Sequence, residues 1–177
     1  MRIIAGDRRG ARISAPKGTA TRPTGDRVRE AAYNLLGPVD DTAVLDLFAG
    51  SGAMGLEALS RGARRCVFVE SDRAACAVIR DNLEKLRLTG ALVLQKDVFQ
   101  ALREERGAGR TYDLVLVDPP YGAWPDMQQP LADTLPSVLT EDGAIVVETS
   151  ARIEPELPLT VVTSRRYGSA RITVFTR

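Results

Sequence analysis

Between residues 44 and 147, short apolar runs alternate with longer stretches in which apolar positions recur every three or four residues. Val44–Phe48, Cys66–Val69, Leu92–Leu94, Leu114–Val117 and Ile145–Val147 read as buried strands. Met54–Arg61, Arg73–Leu86, Val98–Glu105 and Met127–Leu139 read as helices, the last interrupted by Pro130 and Pro136. Near-continuous apolar strands joined by helices predict an α/β fold, a parallel sheet covered on both faces with right-handed crossovers. Leu159–Arg165 and Ala170–Phe175 flank Tyr167-Gly168-Ser169 and predict an antiparallel pair closing one sheet edge.

The first 36 residues break this rhythm. Ile3-Ile4 and Arg12-Ile13 flank the stretch AGDRRGA, which reads as a small β-hairpin, and Asp26 is expected to cap a helix running through Val28 to Leu36. So short a segment cannot build a core of its own and must lean on the α/β part or on a ligand. The expected organisation is an extension over residues 1–36 and a main domain over residues 37–177.

Composition narrows the chemistry. The 177 residues suit one domain with a sizeable core, and no apolar run approaches the roughly 20 residues needed to span a bilayer. The Arg-rich start lacks an apolar h-region, so the expected compartment is the cytoplasm. Histidine is absent and Cys66 and Cys76 are the only cysteines. That excludes histidine-dependent hydrolases, argues against a zinc site, and leaves both thiols as core fillers in a reducing compartment. Charge is unevenly spread under the net +1: residues 1–30 carry eight Lys/Arg against three Asp/Glu, and residues 151–177 carry five against two. Basic ends around an acidic centre suit a polyanionic partner, although solvated arginines would give the same pattern.

The acidic centre has an address. VLDLFAGSGAMGLEALSRG places Gly50, Gly52 and Gly55 between the first strand and its helix, where backbone can approach a ligand at a helix N-terminus. Asp46 lies near the carboxyl end of that strand, and Glu70 ends the second strand at a spacing suited to ribose hydroxyls. Asp97 follows the third strand and Asp118 the fourth. An unphosphorylated ribose belongs to NAD or to S-adenosylmethionine. Four carboxylates along one edge would repel a pyrophosphate and favour an ammonium and a sulfonium, which selects S-adenosyl-L-methionine. Asp72, before an Ala-rich helix, reads as an N-cap.

Asp118-Pro119-Pro120-Tyr121 follows the apolar run Leu114–Val117. Two prolines remove two backbone donors and fix two φ angles, so the strand must stop there. This DPPY resembles the [DNS]-P-P-[YFW] motif of amino-methyltransferases. An exocyclic base amine shares its lone pair with the ring. Acceptors at the Asp118 carboxylate and the Pro119 carbonyl would favour its pyramidal form, and Tyr121 offers a stacking face.

RPTGDRVRE (Arg22–Glu30), LDLFAGSGAMGLEALSRGA, FVESD and DPPY together resemble the RsmD family across essentially the whole chain. The resemblance implies a Rossmann-like class I S-adenosylmethionine-dependent methyltransferase sheet with a small N-terminal hairpin and helix extension. It implies methyl transfer to the N2 amine of a guanine in 16S rRNA, position 966 in the usual rRNA numbering, during small-subunit assembly. The partner would be 16S rRNA in the small subunit or its assembly intermediate, with no metal, no membrane and a monomeric enzyme. Gly50, Ser51 and Gly52 would lie against the methionine part with Asp46 nearby, Glu70 would take the ribose, and Asp97 with Val98 the adenine. Asp118, Pro119, Pro120 and Tyr121 would receive the flipped guanine. Arg22, Pro23 and Thr24 would fold over the cofactor, and arginines of the hairpin and following helix would hold phosphates. For Arg27 and Arg29, solvated helix charges stand beside that reading. The rival readings are a DNA adenine-N6 methyltransferase, which would need a target-recognition region this chain has little room for, a non-catalytic S-adenosylmethionine-binding RNA chaperone, and a dehydrogenase.

Overall fold

The structure is a computed structural model that describes residues 1–16, 25–120 and 122–177. Seven strands form one sheet: β1 (Ala43–Leu47), β2 (Arg65–Glu70), β3 (Ala91–Gln95), β4 (Tyr112–Val117), β5 (Leu139–Ser150), β6 (Thr160–Tyr167) and β7 (Ala170–Thr176). Their spatial order is β3-β2-β1-β4-β5-β7-β6. The first five pair in parallel, and β7 enters antiparallel between β5 and β6. Helices α1 (Asp26–Leu36), α2 (Ala53–Ser60), α3 (Arg73–Leu86), α4 (Val98–Gly107) and α5 (Trp124–Thr134) accompany the sheet. One apolar cluster joins α1, α2 and α3 to one face, through Tyr33, Leu56, Ile79 and Phe68. A second joins α4 and α5 to the other, through Leu102, Leu131, Val115 and Val147. This is the Rossmann-like arrangement that the alternation predicts.

Strand order reverses between β1 and β4, and open parallel sheets bind ligands in the crevice at such a switch point. The carboxyl ends of β1 and β4 are in register there, Leu47 opposite Val117. The segments that follow, 48–52 and 118–120, therefore leave the sheet side by side.

Several local expectations change. Strand β3 is an edge strand with Leu92 53% exposed, rather than a buried one, because only β2 covers it. Helix α5 begins at Trp124 instead of Met127, with Pro125 in its first turn, where a missing N–H does no harm. It gives way at Leu135–Val138 to a 3-10 turn, and Leu139 already belongs to β5. The cap of α1 is Gly25; Asp26 sits inside the first turn and pairs with Arg29 at 3.0 Å and Arg2 at 3.5 Å.

The N-terminal hairpin forms, with Arg2 bridged to Arg12 and Ile3 exchanging backbone hydrogen bonds with Gly10 and Ala11. It is riveted to α2. The Glu57 carboxylate accepts from the Ile4 and Ala5 amides at 2.8 and 2.9 Å, and Ser60 accepts from the Asp7 and Arg8 amides at 2.8 and 3.0 Å. Gly6 passes so close that a Cβ there would lie 1.7 Å from the Ser60 carbonyl oxygen, so only glycine fits. Ile3 and Ile13 are buried in the same cluster as α2 and α3. The extension therefore leans on the α/β core, as its small size requires.

Candidate active site at the carboxyl edge of the sheet

The loop after β1 is shaped before any ligand arrives. Phe48 takes a left-handed φ of +59°, a conformation unusual for an aromatic residue, and turns the chain off the strand. Ala49 continues the ladder to Val69 at 3.1 Å, and the Gly52 amide closes the turn on the Ala49 carbonyl at 2.7 Å. Carboxylates brace both ends of the loop. Glu70, at the end of β2, accepts from the Gly50 amide at 2.8 Å through one oxygen and from the Asp72 amide at 2.9 Å through the other. Asp46, only 2% exposed, accepts from the Gly55 amide at 2.9 Å inside the first turn of α2. Gly55 is dictated by packing: a Cβ there would come within 2.3 Å of the Phe68 ring.

Burial pushes the Asp46 carboxyl well above the ordinary carboxylate range, against the opposing pull of the Gly55 hydrogen bond. The charges of Asp118 and Glu70 push it further in the same direction. Those two couplings put Asp46, Glu70 and Asp118 in one electrostatic neighbourhood, formed by the ends of three adjacent strands. The edge therefore gathers negative charge. Lys96, the cation nearest in sequence to Asp97, is engaged by Glu104.

Asp72 caps α3, accepting from the Ala75 amide at 2.7 Å, as its position predicts. Asp97 caps α4 in the same way, accepting from Gln100 at 3.0 Å, and remains exposed while Val98 is buried. Beyond β4, Asp118 is half-buried, Pro119 buried and Pro120 exposed. The chain then turns back, with the Ala123 amide donating to the Pro120 carbonyl at 3.0 Å. The chain's only tryptophan anchors this turn: Trp124 is 3% exposed and donates from Nε1 to Gln128 at 2.7 Å. The same Gln128 oxygen accepts from the Glu156 amide at 3.0 Å, joining the turn to the segment after β5. Arg22, Pro23, Thr24 and Tyr121 lie outside the described residues.

Sequence reasoning missed three supports of this site. Arg29 is neither a solvated charge nor available to RNA: it is fully buried, contacts Asp26, donates to the Arg2 carbonyl, and lies 3.6 Å from Glu57. Asn82 on α3 reaches both the arm and the glycine loop. Trp124 follows the motif by three positions, and a lone tryptophan there was a usable signal. Arg171 is likewise unavailable, 6% exposed and donating to Ser164 at 2.7 Å.

The family model described as "Conserved hypothetical protein 95" matches residues 1–176. The chain belongs to this family, the RsmD family. Among relatives, a Bacillus subtilis protein named "Putative rRNA methyltransferase YlbH" is 38% identical, covering 99% of this chain and 98% of its own length. The "Ribosomal RNA small subunit methyltransferase D" of Escherichia coli K12 is 37% identical over 89% of this chain and 75% of its own. A solved structure, "Putative methyltransferase yhhF" from Escherichia coli, superposes with a TM-score of 0.83 at 33% identity, covering 100% of this chain and 97% of the other. The RsmD-family hairpin, glycine loop and β4 terminus thus belong to one shared architecture rather than to a chance assembly of motifs.

Proposed function

We propose that this chain transfers a methyl group from S-adenosyl-L-methionine to the exocyclic N2 of a guanine in 16S rRNA, guanine 966 in the usual numbering, during small-subunit assembly. Family membership supports the coarser statement, an S-adenosylmethionine-dependent rRNA methyltransferase of the RsmD type. The observation that supports transfer to an exocyclic amine is the meeting of Asp118, Asp46 and Glu70, from the adjacent strands β4, β1 and β2, around the braced glycine loop.

The site suits the cofactor on its own chemistry. Among the described residues, the open side of the loop is at Gly50, where an added Cβ would meet nothing closer than 3.9 Å. A carboxylate cluster that raises the Asp46 pKa is relieved by a cationic ligand. Gly50, Ser51 and Gly52 would hold its methionine part with Asp46 behind them. Glu70 retains lone pairs beyond its two backbone partners for ribose hydroxyls, and Asp97 with Val98 would meet the adenine. Arg22, Pro23 and Thr24 would cover the bound cofactor. When bound, it supplies a methyl group activated by a sulfonium.

The protein's task is to present a poor nucleophile correctly. The Asp118 carboxylate accepts one amine N–H and the Pro119 carbonyl accepts the other, which frees the nitrogen lone pair from the ring. Asp118 then takes up the proton that the alkylated nitrogen sheds. The two prolines hold both acceptors still, and Tyr121 would stack on the flipped base.

Charge supports an RNA substrate. Among the described residues, Arg9 and Arg12 on the hairpin and Arg27 on α1 are exposed and join no ion pair. Arg165 and Arg166 are exposed near the β6–β7 turn. There Ala170 pairs with Ser150, three residues past Val147, the partner of Val117. At about 3.3 Å per residue, that turn rises about 10 Å above the end of β4, within reach of nucleotides flanking a base held at Asp118. The division at residue 36 is then one of task, since both parts share a core. We place the enzyme in the cytoplasm, acting as a monomer.

The test incubates the purified chain with S-adenosylmethionine and small subunits lacking the modification, then maps methylated nucleotides by mass spectrometry. N2-methylguanine at a single 16S position is expected. Methylation of adenine N6, or binding to rRNA without methylation, would overturn the assignment.

A further inference from the structure

We propose that Asn82 is a positioning residue that couples docking of the N-terminal arm to the cofactor loop; the inference rests on the Gly50–Gly52 loop holding S-adenosylmethionine. Asn82 is 1% exposed on the inner face of α3, one turn after Ile79, which packs beneath Gly52. Its Oδ1 accepts from the Ser14 amide at 2.8 Å, and its Nδ2 donates to the Ser14 carbonyl at 3.0 Å. The side-chain amide thus pairs with Ser14 as a neighbouring strand would. The same Nδ2 donates to the Ser51 carbonyl at 3.3 Å, in the middle of the glycine loop.

One buried group therefore joins two backbones 37 positions apart. Its orientation is fixed by the partners, because turning the amide over would set its oxygen against two carbonyls. Ser14 is where the chain leaves the hairpin, and Arg22, Pro23 and Thr24 follow eight to ten positions later. A shift of Ser51 on ligand binding must move, strain or strengthen the Asn82 amide, and Ser14 feels the change through the same nitrogen. By linkage the effect is reciprocal: an arm seated on Asn82 favours the loop conformation that binds the cofactor.

The isosteric substitution Asn82→Asp breaks the shared donor. It keeps the acceptor for the Ser14 amide, removes both donated bonds and sets an oxygen against the Ser14 and Ser51 carbonyls. The experiment follows hydrogen exchange of the Ser14 amide in the full chain, with and without S-adenosylhomocysteine, beside calorimetric affinity for the same ligand. In the native chain, saturation should slow Ser14 exchange about tenfold, within the usual range of coupling between sites. In Asn82→Asp, the ligand-free amide should exchange faster than in the native chain, its response to ligand should vanish, and affinity should fall about tenfold. Native Ser14 exchange that ignores bound ligand overturns the coupling without reference to any variant. An Asn82→Asp chain that still slows Ser14 on binding overturns it as well. A native chain that does not bind S-adenosylhomocysteine overturns instead the cofactor reading beneath it.

Discussion

Replacing Glu57 with alanine should loosen the arm and destabilise the whole chain, although Glu57 touches no part of the proposed site. Its carboxylate is fully buried. One oxygen accepts from Ile4 and lies 3.6 Å from the Arg29 guanidinium; the other accepts from Ala5 and, at 2.8 Å, from Arg61. Truncation takes the Glu57 carboxylate from the buried Arg29 guanidinium, which keeps the Arg2 carbonyl and Asp26 among its partners, and strands two amides of the hairpin. Breaking a buried ion pair from one side costs about 3–5 kcal/mol, and the stranded amides, which water can partly reach, keep the total near that range. For a chain of this length each kcal/mol lowers Tm by about 2–4 °C, so a loss of about 6–20 °C is expected. Circular dichroism melts measure the loss, and hydrogen exchange at Ile4 and Ala5 locates it. The double change Arg29→Met with Glu57→Leu removes the pair as a pair and should recover most of the stability. A Glu57→Ala chain within about 1 kcal/mol of native in urea, with both amides still protected, would refute the rivet. A double variant less stable than the single one would do so too.

Three further outcomes concern the edge itself. Asp118→Asn should lower tritiated methyl transfer to small subunits at least about 100-fold while S-adenosylhomocysteine affinity changes little, since the carboxylate acts on the amine; turnover near native would remove Asp118 from the chemistry. Glu70→Gln should weaken calorimetric cofactor affinity about 10- to 100-fold, the scale of a hydrogen bond to a charged group, and unchanged affinity would confine Glu70 to bracing the loop. For Asp46, the folded state holds its proton to higher pH than the unfolded chain does, so native stability falls as pH rises from the ordinary carboxylate range through the raised value. Asp46→Asn keeps an acceptor for Gly55 and should flatten that fall in urea midpoints; superimposable pH profiles would refute the assigned protonation.

The sequence exposed the parts of the fold that depend on local pattern. Strand and helix positions followed from hydrophobic period to within a few residues, and the candidate site was read from where glycines, acids and prolines sit relative to strand ends. The larger misses were matters of who packs against whom. Leu92 looked like a core residue because apolar alternation does not say which strand ends a sheet. Arg29 looked like a solvated charge because its helical period gives no hint of a carboxylate arriving from α2. Glu57 carried a signal that could have been used: an acid within MGLEALS, on a helix apolar all round, has no solvent face to turn to, and all eight residues of α2 are buried. Asn82 gave none, since an Asn in a charged helix is unremarkable until Ser14 and Ser51 are both beside it.

The uneven charge of the chain also resolves into a physical division of labour. A polyanion and a cationic cofactor make opposite demands on one small surface. On the proposed reading the acids would meet the cofactor's demand at the strand ends, where Asp46 is buried. The exposed arginines of the hairpin, α1 and the β6–β7 turn would meet the other demand, and salt screens interactions between exposed charges beyond about 8 Å. Arginines set back from the edge by that distance can attract phosphates without cancelling the acids. Burial, with the charges of Asp118 and Glu70 beside it, pushes the Asp46 carboxyl up, so a positive ligand beside it would favour its charged form.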